Sequence, residues 1–303
     1  MQALALAKRL KSTNINKVVL GLSGGLDSTL AYLVCVRVMD ILSLPHENVI
    51  AITLPCFGTS SRTKENAEML AKIYNTTFIE IPIKDAVVQH LKDIDHNINN
   101  KNTTYENSQA RERTQVLMDY SNKVNGLVIG TGDLSELALG WCTYNGDHMS
   151  MYSVNGSLPK TLIRDMILYL SSKSPAKDVL LDILDTPVSP ELLPPDEQGK
   201  IAQLTEEVVG PYILHDFFIY HLMKHNFSIS KIYTITLSTF KDMFDEETIK
   251  KWLKFFTRRF FNQQFKRNCM PDGIKVTDIS FSPRGDLKMA SDADSSSFLN
   301  ELE

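Results

Sequence analysis

Three short, continuous apolar runs, at residues 17–22, 49–54 and 126–131, dictate most of what this chain can fold into. Each is rich in Val, Ile and Leu and ends at turn residues, the pattern of a strand covered on both faces. A weaker run at 77–81 stops at Pro82 and is expected to be a fourth strand. Helical patterns lie between them. After Ser28, the residues Leu30, Leu33, Val34, Val38, Ile41 and Leu42 fall near one stripe, and 63–74 and 107–123 also read as helices. Strands alternating with helices imply βαβ units with right-handed crossovers. The fold class expected is α/β: a doubly wound, mainly parallel sheet with helices on both faces.

The polar stretch 93–105 is expected to be a loop, and beyond residue 131 the strand signal fades. Helical patterns at 160–172 and 175–184 lead to Pro187, Pro190, Pro194 and Pro195, which require loop. The last third is mostly helical, best seen in Ile249, Trp252, Leu253, Phe256 and Phe260, spaced for one buried face. From Met270 onward the pattern is irregular, and 291–297 is expected to be weakly held. This divides the chain into an α/β core, 1–195, and a helical C-terminal extension, 196–303, with an irregular tail.

At 303 residues, 43% of them hydrophobic and 22% charged, the chain can bury a full core. A formal charge of −4 offers no global attraction to a polyanion, so no nucleic-acid partner is expected. No stretch reaches the roughly 18 apolar residues of a membrane span, and the N-terminal segment reads as an amphipathic helix. Cys35, Cys56, Cys142 and Cys269 lie far apart without a C-x-x-C pair. That spacing argues against zinc and against a disulfide framework, and points to a reducing, cytoplasmic setting. His90, His96 and His215 do not pair at ligand spacing, and the aromatic run Tyr212, Phe217, Phe218 and Tyr220 suits a core or subunit contact.

The first apolar run passes directly into Ser23-Gly24-Gly25-Leu26-Asp27-Ser28 and then into a helical pattern. In an open α/β sheet, ligands bind beyond the carboxyl ends of the strands, where this turn lies. Glycines let backbone approach an anion, N–H groups at a helix start point at it, and Ser23 and Ser28 add hydroxyls. Asp27 is out of place beside phosphate unless a hard cation such as Mg²⁺ bridges them. No G-K-[ST] follows, so this is not a Walker loop. It resembles the loop of the N-type ATP pyrophosphatase superfamily, which releases pyrophosphate intact and leaves AMP on its substrate.

A second block, Gly130-Thr131-Gly132-Asp133-Leu134-Ser135-Glu136-Leu137-Ala138-Leu139-Gly140-Trp141, follows the run at 126–131. Its Glu136 is the carboxylate that could complete a Mg²⁺ site with Asp27. These blocks resemble those of the NAD synthetase family, nearest to the synthetase domain of its bacterial glutamine-dependent members. The likeness continues through Glu106-Asn107-Ser108-Gln109-Ala110-Arg111, residues 155–161, Ser189-Pro190-Glu191-Leu192, Gln264-Phe265-Lys266-Arg267 and Ser282-Pro283-Arg284-Gly285-Asp286.

The resemblance implies an adenine nucleotide alpha hydrolase-like fold and a ligase reaction. ATP adenylates the carboxylate of deamido-NAD (nicotinic acid adenine dinucleotide), pyrophosphate leaves, and ammonia converts the adenylate to the amide of NAD with release of AMP. It further implies that Gly21, Leu22, Ser23, Gly24, Gly25, Leu26, Asp27 and Ser28 bind the ATP phosphates, with Thr131, Lys160 and Ser189 completing the nucleotide site. Lys160 would stabilise charge on the phosphates, and Asp27 and Glu136 would hold Mg²⁺. Asn107, Arg111, Glu136, Trp141, Asp147 and Lys266 would face deamido-NAD, with Arg113 an alternative to Arg111 as anion contact. Glutamine-dependent members carry a nitrilase-type glutaminase domain, and this chain reaches its phosphate loop after 22 residues. Ammonium rather than glutamine is therefore the expected nitrogen donor for this chain alone, with a glutaminase domain in the full-length protein. A homo-oligomer is also implied. The competing readings are another ATP pyrophosphatase, such as GMP synthetase or a tRNA-thiolating enzyme, and a non-catalytic nucleotide-binding module on the same fold.

Overall fold

The structure, a computed structural model, describes residues 1–187, 192 and 205–303. Strands form where the apolar runs lie: β1 (Lys17–Gly21), β2 (Val49–Thr53), β3 (Thr77–Glu80), β4 (Gly126–Gly130) and a two-residue β5 (Tyr152–Ser153). They make one sheet in the order β3-β2-β1-β4-β5, with every pairing parallel. Val18 of the central strand sits between Val49 of β2 and Leu127 of β4. Because strand side chains alternate, Val18 and Leu20 enter the apolar cluster on one face and Val19 the cluster on the other.

The helices are α1 (Gln2–Thr13), α2 (Leu26–Leu42), α3 (Ser61–Ile73), α4 (Lys84–Asp93), α5 (Thr103–Val124), α6 (Leu134–Leu139) and α7 (Lys160–Ser171). They continue as α8 (Lys177–Asp185), α9 (Thr205–Val209), α10 (Tyr212–His225), α11 (Ile229–Thr239), α12 (Glu246–Asn262), α13 (Gln264–Arg267) and α14 (Ser296–Leu299). Apolar residues of α1, α2, α3, α7 and α8 cover one face of the sheet, and those of α4 and α5 cover the other. This is the doubly wound α/β arrangement that the run pattern dictates. A third cluster joins the short α6 to α9, α10, α11, α12 and the C-terminal segment. Trp252, Leu253, Phe256 and Phe260 supply its largely aromatic buried stripe.

One local expectation is corrected and one is sharpened. The loop at 93–105 shrinks to 94–102, because the Asn102 side chain accepts the N–H groups of Thr104 and Tyr105 and starts α5 four residues early. Of the tail, 291–297 is largely exposed as expected, while the residues after it are held: Phe298 stacks on Phe261 at a centroid distance of 4.1 Å and Leu302 is buried. The domain boundary expected at residue 195 lies outside the described residues, as do Pro190, Pro194 and Pro195. Among the described residues no helix is long and apolar enough to cross a membrane.

Candidate active site

The strand order reverses direction between β1 and β4, and the crevice at their carboxyl ends is the natural ligand position in such a sheet. From β1, Leu22 donates its N–H to Ile52 O at 2.9 Å, the last rung before the chain turns. Gly24 follows at φ 84°, where a Cβ would lie 2.0 Å from the Thr63 carbonyl oxygen, so only glycine fits. Gly25 is the N-cap of α2 and offers no side chain, so the first turn of α2 has no side-chain cap for its N–H groups. Ser23 and Ser28 hydroxyls pair at 3.0 Å across the turn, and Ser28 also donates to Gly25 O at 3.1 Å.

From β4, the chain leaves Gly130 through Thr131 and Gly132 to Asp133, the N-cap of α6. Asp133 Oδ1 accepts the Glu136 N–H at 2.7 Å, which aims both acids from one short turn. Asn155, wholly buried, ties the two strand ends together: its Nδ2 donates to Asp27 O at 3.0 Å and to Thr131 O at 3.1 Å. Gln2 of α1 donates to Asn155 Oδ1 at 2.9 Å and fixes which way the amide faces.

Lys160, the first residue of α7, stands at the centre. Its Nζ lies 2.6 Å from Asp27 Oδ2, 2.7 Å from Asp133 Oδ2 and 2.9 Å from Glu136 Oε1. Oxygens of the three acids fall within 4.8 Å of one another. The ring of Tyr212 lies beneath the ammonium, 5.3 Å from Nζ to the centroid. Burial alone would lower the Lys160 pKa, but Asp133, Asp27 and Glu136 together outweigh it and hold the amine charged, well above its ordinary range. Burial pushes the carboxyl of Asp133 up, against the attraction of Lys160, and raises Glu136 in the same way. One ammonium against three clustered acids leaves an excess of negative charge. Asp27 Oδ1 is buried with no hydrogen-bond partner among the described residues. An all-oxygen, acid-rich set of this kind fits a hard divalent cation.

The residues expected to face the acceptor converge on one segment, 140–148. Thr143 Oγ1 donates to Asn107 Oδ1 at 2.8 Å, and Thr143 N–H donates to Asp147 Oδ1 at 2.6 Å. Arg111 Nε donates to Tyr144 O at 3.3 Å. Lys266 Nζ donates to Gly140 O at 2.7 Å and Cys142 O at 2.6 Å. Trp141 donates its N–H to Glu136 O at 2.9 Å, so this segment begins directly at the acid cluster. Arg113 instead donates to Leu54 O beyond β2, away from that segment. Three cations gather on the carboxyl end of α6: Arg259 on Leu139 O and Gly140 O, Lys266 on Gly140 O, and the fully buried Arg267 on Leu137 O and Ala138 O. They satisfy carbonyls that a helix end otherwise leaves unpaired. Ser189 lies outside the described residues.

Asp27, Glu136 and Lys160 therefore meet at one point, and Asn107, Arg111, Trp141, Asp147 and Lys266 share the adjoining segment. Sequence reasoning missed Asp133, Asn155, Tyr212 and Asp216. For Asp133 a signal exists: Asp-Leu-Ser-Glu is a capping box that places both acids on one turn. Asp216 hydrogen-bonds Ser135 and Thr161 from α10, a tertiary relation without any local spacing signal.

Comparison with known proteins places this geometry. Residues 2–248 match the family model described as NAD synthase. The glutamine-dependent NAD(+) synthetase of Mycobacterium leprae (strain TN) is 39% identical, with 100% of this chain and 48% of that protein covered. The chain thus spans about half the length of the curated relatives it matches. Among solved structures, a glutamine-dependent NAD(+) synthetase from Cytophaga hutchinsonii shares the fold, with a TM-score of 0.80 at 18% identity over 100% of this chain and 55% of that one. The NH3-dependent NAD synthetase of Campylobacter jejuni gives a TM-score of 0.60 at 25% identity, covering 89% of this chain and 94% of that one.

Proposed function

Because this chain belongs to the NAD synthase family, we propose that it catalyses the ATP-dependent amidation of deamido-NAD to NAD, with ammonia as nitrogen donor. The observation that carries the reading is the gathering of Asp27, Asp133 and Glu136 around Lys160 at the carboxyl ends of β1 and β4. In the first step an oxygen of the nicotinate carboxylate bonds to the α-phosphorus of ATP, and the bond to the bridging oxygen breaks, releasing pyrophosphate. In the second, the ammonia nitrogen bonds to the acyl carbon, AMP leaves with the oxygen, and the nitrogen sheds its extra proton to solvent or a neighbouring acid.

The residues supply binding, orientation and charge. The segment from Gly21 to Ser28, through backbone N–H groups of its turn and the Ser23 and Ser28 hydroxyls, would hold the phosphates together with the Thr131 hydroxyl, and Ser189 is proposed to complete the set. Lys160 would stabilise the negative charge that develops on the α-phosphate and the leaving pyrophosphate. Asp27, Asp133 and Glu136 would hold Mg²⁺, whose chemistry is to neutralise phosphate oxygens and orient them for displacement. Asn107, Arg111, Trp141, Asp147 and Lys266 would clamp the acceptor, the indole stacking on a planar ring. The half of the glutamine-dependent relatives that this chain does not match supports a nitrilase-type glutaminase domain as the natural ammonia source. The NH3-dependent relative supports free ammonium as sufficient for the synthetase unit.

The purified chain, given Mg-ATP, deamido-NAD and ammonium chloride, should form NAD, AMP and pyrophosphate in equal amounts. Glutamine in place of ammonium should give none. Pyrophosphate release that ignores deamido-NAD, or no release at all, would overturn the assignment.

A further inference from the structure

Lys160 is the first residue of α7, and the helix start that carries it lacks a cap of its own. Its N-cap is Pro159, whose side chain cannot accept a hydrogen bond, so the first-turn N–H groups need partners from elsewhere. They find them across the fold. Lys160 N–H donates to Ser135 Oγ at 2.9 Å, and Thr161 N–H donates to Asp216 Oδ2 at 3.0 Å. The Thr161 hydroxyl donates to the same oxygen at 2.7 Å. The Ser135 hydroxyl, wholly buried, donates to Asp216 Oδ1, which turns its lone pairs towards Lys160 N–H. Both oxygens of Asp216 are thus engaged, and a carboxylate at a helix N-terminus is stabilised by the helix dipole.

The neighbours of these partners give the arrangement its meaning. Ser135 precedes Glu136, and Thr161 follows Lys160, the two residues whose charged ends pair at 2.9 Å. One carboxylate from α10 therefore grips the backbone turn beside each member of that pair. Tyr212, one turn earlier on the same face of α10, slides its ring beneath the Lys160 ammonium. Among the described residues, Asp216 hydrogen-bonds Ser135 and Thr161 and none of the three site acids.

We propose that Asp216 is a positioning residue: it sets where the Lys160 ammonium stands against Asp27, Asp133 and Glu136, and so makes the nucleotide site depend on docking of the C-terminal helices. The functional half of this proposal rests on the amidation reading above; the geometric half does not.

The test uses the full chain with Asp216→Asn and Ser135→Ala. The asparagine has the same shape, keeps one acceptor for Thr161 and deprives the Ser135 hydroxyl of its acceptor. Two readouts are taken. The first is acetylation of Lys160 by an N-hydroxysuccinimide acetate, followed by peptide mass spectrometry against the exposed Lys241. Lys160 should be slow in the parent chain and at least fivefold faster in both variants. The second is steady-state pyrophosphate release, in which kcat should fall at least tenfold while KM for ATP stays within threefold. The double variant should be no worse than Asp216→Asn alone, because both act through one relay. Phe281→Leu, in the buried helical cluster, serves as a stability-matched control that should keep its kcat and its Lys160 protection. Unchanged Lys160 acetylation in Asp216→Asn overturns the proposal whether or not the parent is active. Equal loss of kcat in the Phe281→Leu control at matched Tm also overturns it. A parent chain that releases no pyrophosphate sinks the amidation reading instead, and the acetylation result still decides the position of Lys160.

Discussion

Asp133 Oδ2 stands 2.7 Å from Lys160 Nζ, and the aspartate is wholly excluded from solvent. A buried acid must be paired or protonated, and the Lys160 that pairs with Asp133 is already shared with Asp27 and Glu136. The arrangement suits a site in which a second positive charge arrives with the nucleotide.

Asp133 should therefore matter to catalysis more than to folding. In Asp133→Asn the amide oxygen can still accept the Glu136 N–H and cap α6, so the fold should hold. With one of three acids neutralised, the Mg²⁺ concentration for half-maximal pyrophosphate release should rise and kcat should fall by about 10²-fold. A magnesium titration of both chains checks this, and parent-like turnover would remove Asp133 from the cation set.

Asn155 should matter to both. Its Nδ2 serves the carbonyls of Asp27 and Thr131, and Asn155→Ala leaves both without that donor. The Thr131 carbonyl left unpaired costs about 1–3 kcal/mol and the lost bond to Asp27 O, which keeps its helical partner, about 1 kcal/mol more, so urea denaturation should show a loss of roughly 2–4 kcal/mol. The two strand ends also lose their tie, and KM for ATP should rise in the same variant.

Gly24→Ala tests the phosphate loop. The added methyl would lie 2.0 Å from Thr63 O, at a φ of 84° that L-residues rarely adopt, so the loop must move away from α3. Stability should fall by about 1–3 kcal/mol, and KM for ATP should rise at least tenfold as the N–H groups lose their aim. Calorimetric titration with a non-hydrolysable ATP analogue reads the affinity directly.

His215 gives a pH prediction. Burial among Tyr212, Phe218, Trp252 and Phe256 lowers its pKa from 6.5 to about 4, while its Nε2 faces Val209 O at 2.6 Å. The folded protein keeps this ring neutral, whereas the unfolded chain binds a proton below pH 6.5. The contribution is therefore whole above pH 6.5 and is lost as pH falls towards 4, up to about 3 kcal/mol. His215→Phe should flatten the stability profile between those limits by about 1.4 kcal/mol per pH unit. An unchanged slope would assign the acid sensitivity to other groups.

The sheet was legible because its strands are buried on both faces and leave continuous runs of Val, Ile and Leu. β5 was not, since two residues carry no period, and neither was the four-residue α14, too short to show one, which docks through Phe298 on Phe261. In the site, Asp27 could be read from its strand-to-helix turn and Glu136 from the block that follows β4, whereas Lys160 followed only from the resemblance to the NAD synthetase family. Asn155 and Asp216 act through carbonyls, hydroxyls and N–H groups brought close only by packing. Their partners lie 128 and 24 residues away for Asn155, and 81 and 55 for Asp216. No spacing in the chain records such a relation.

The strand order has a consequence for the life of the chain on the ribosome. β1 lies between β2 and β4, so the turn at 23–28 emerges more than a hundred residues before its opposite wall, Asp133 and Glu136. Lys160 follows, and Asp216 later still. An emerging chain can pair β1 with β2 and β3 long before it can gather three acids around an ammonium. If the proposed function holds, affinity for the metal–nucleotide complex should therefore appear only once α10 has emerged and Asp216 can reach Ser135 and Thr161.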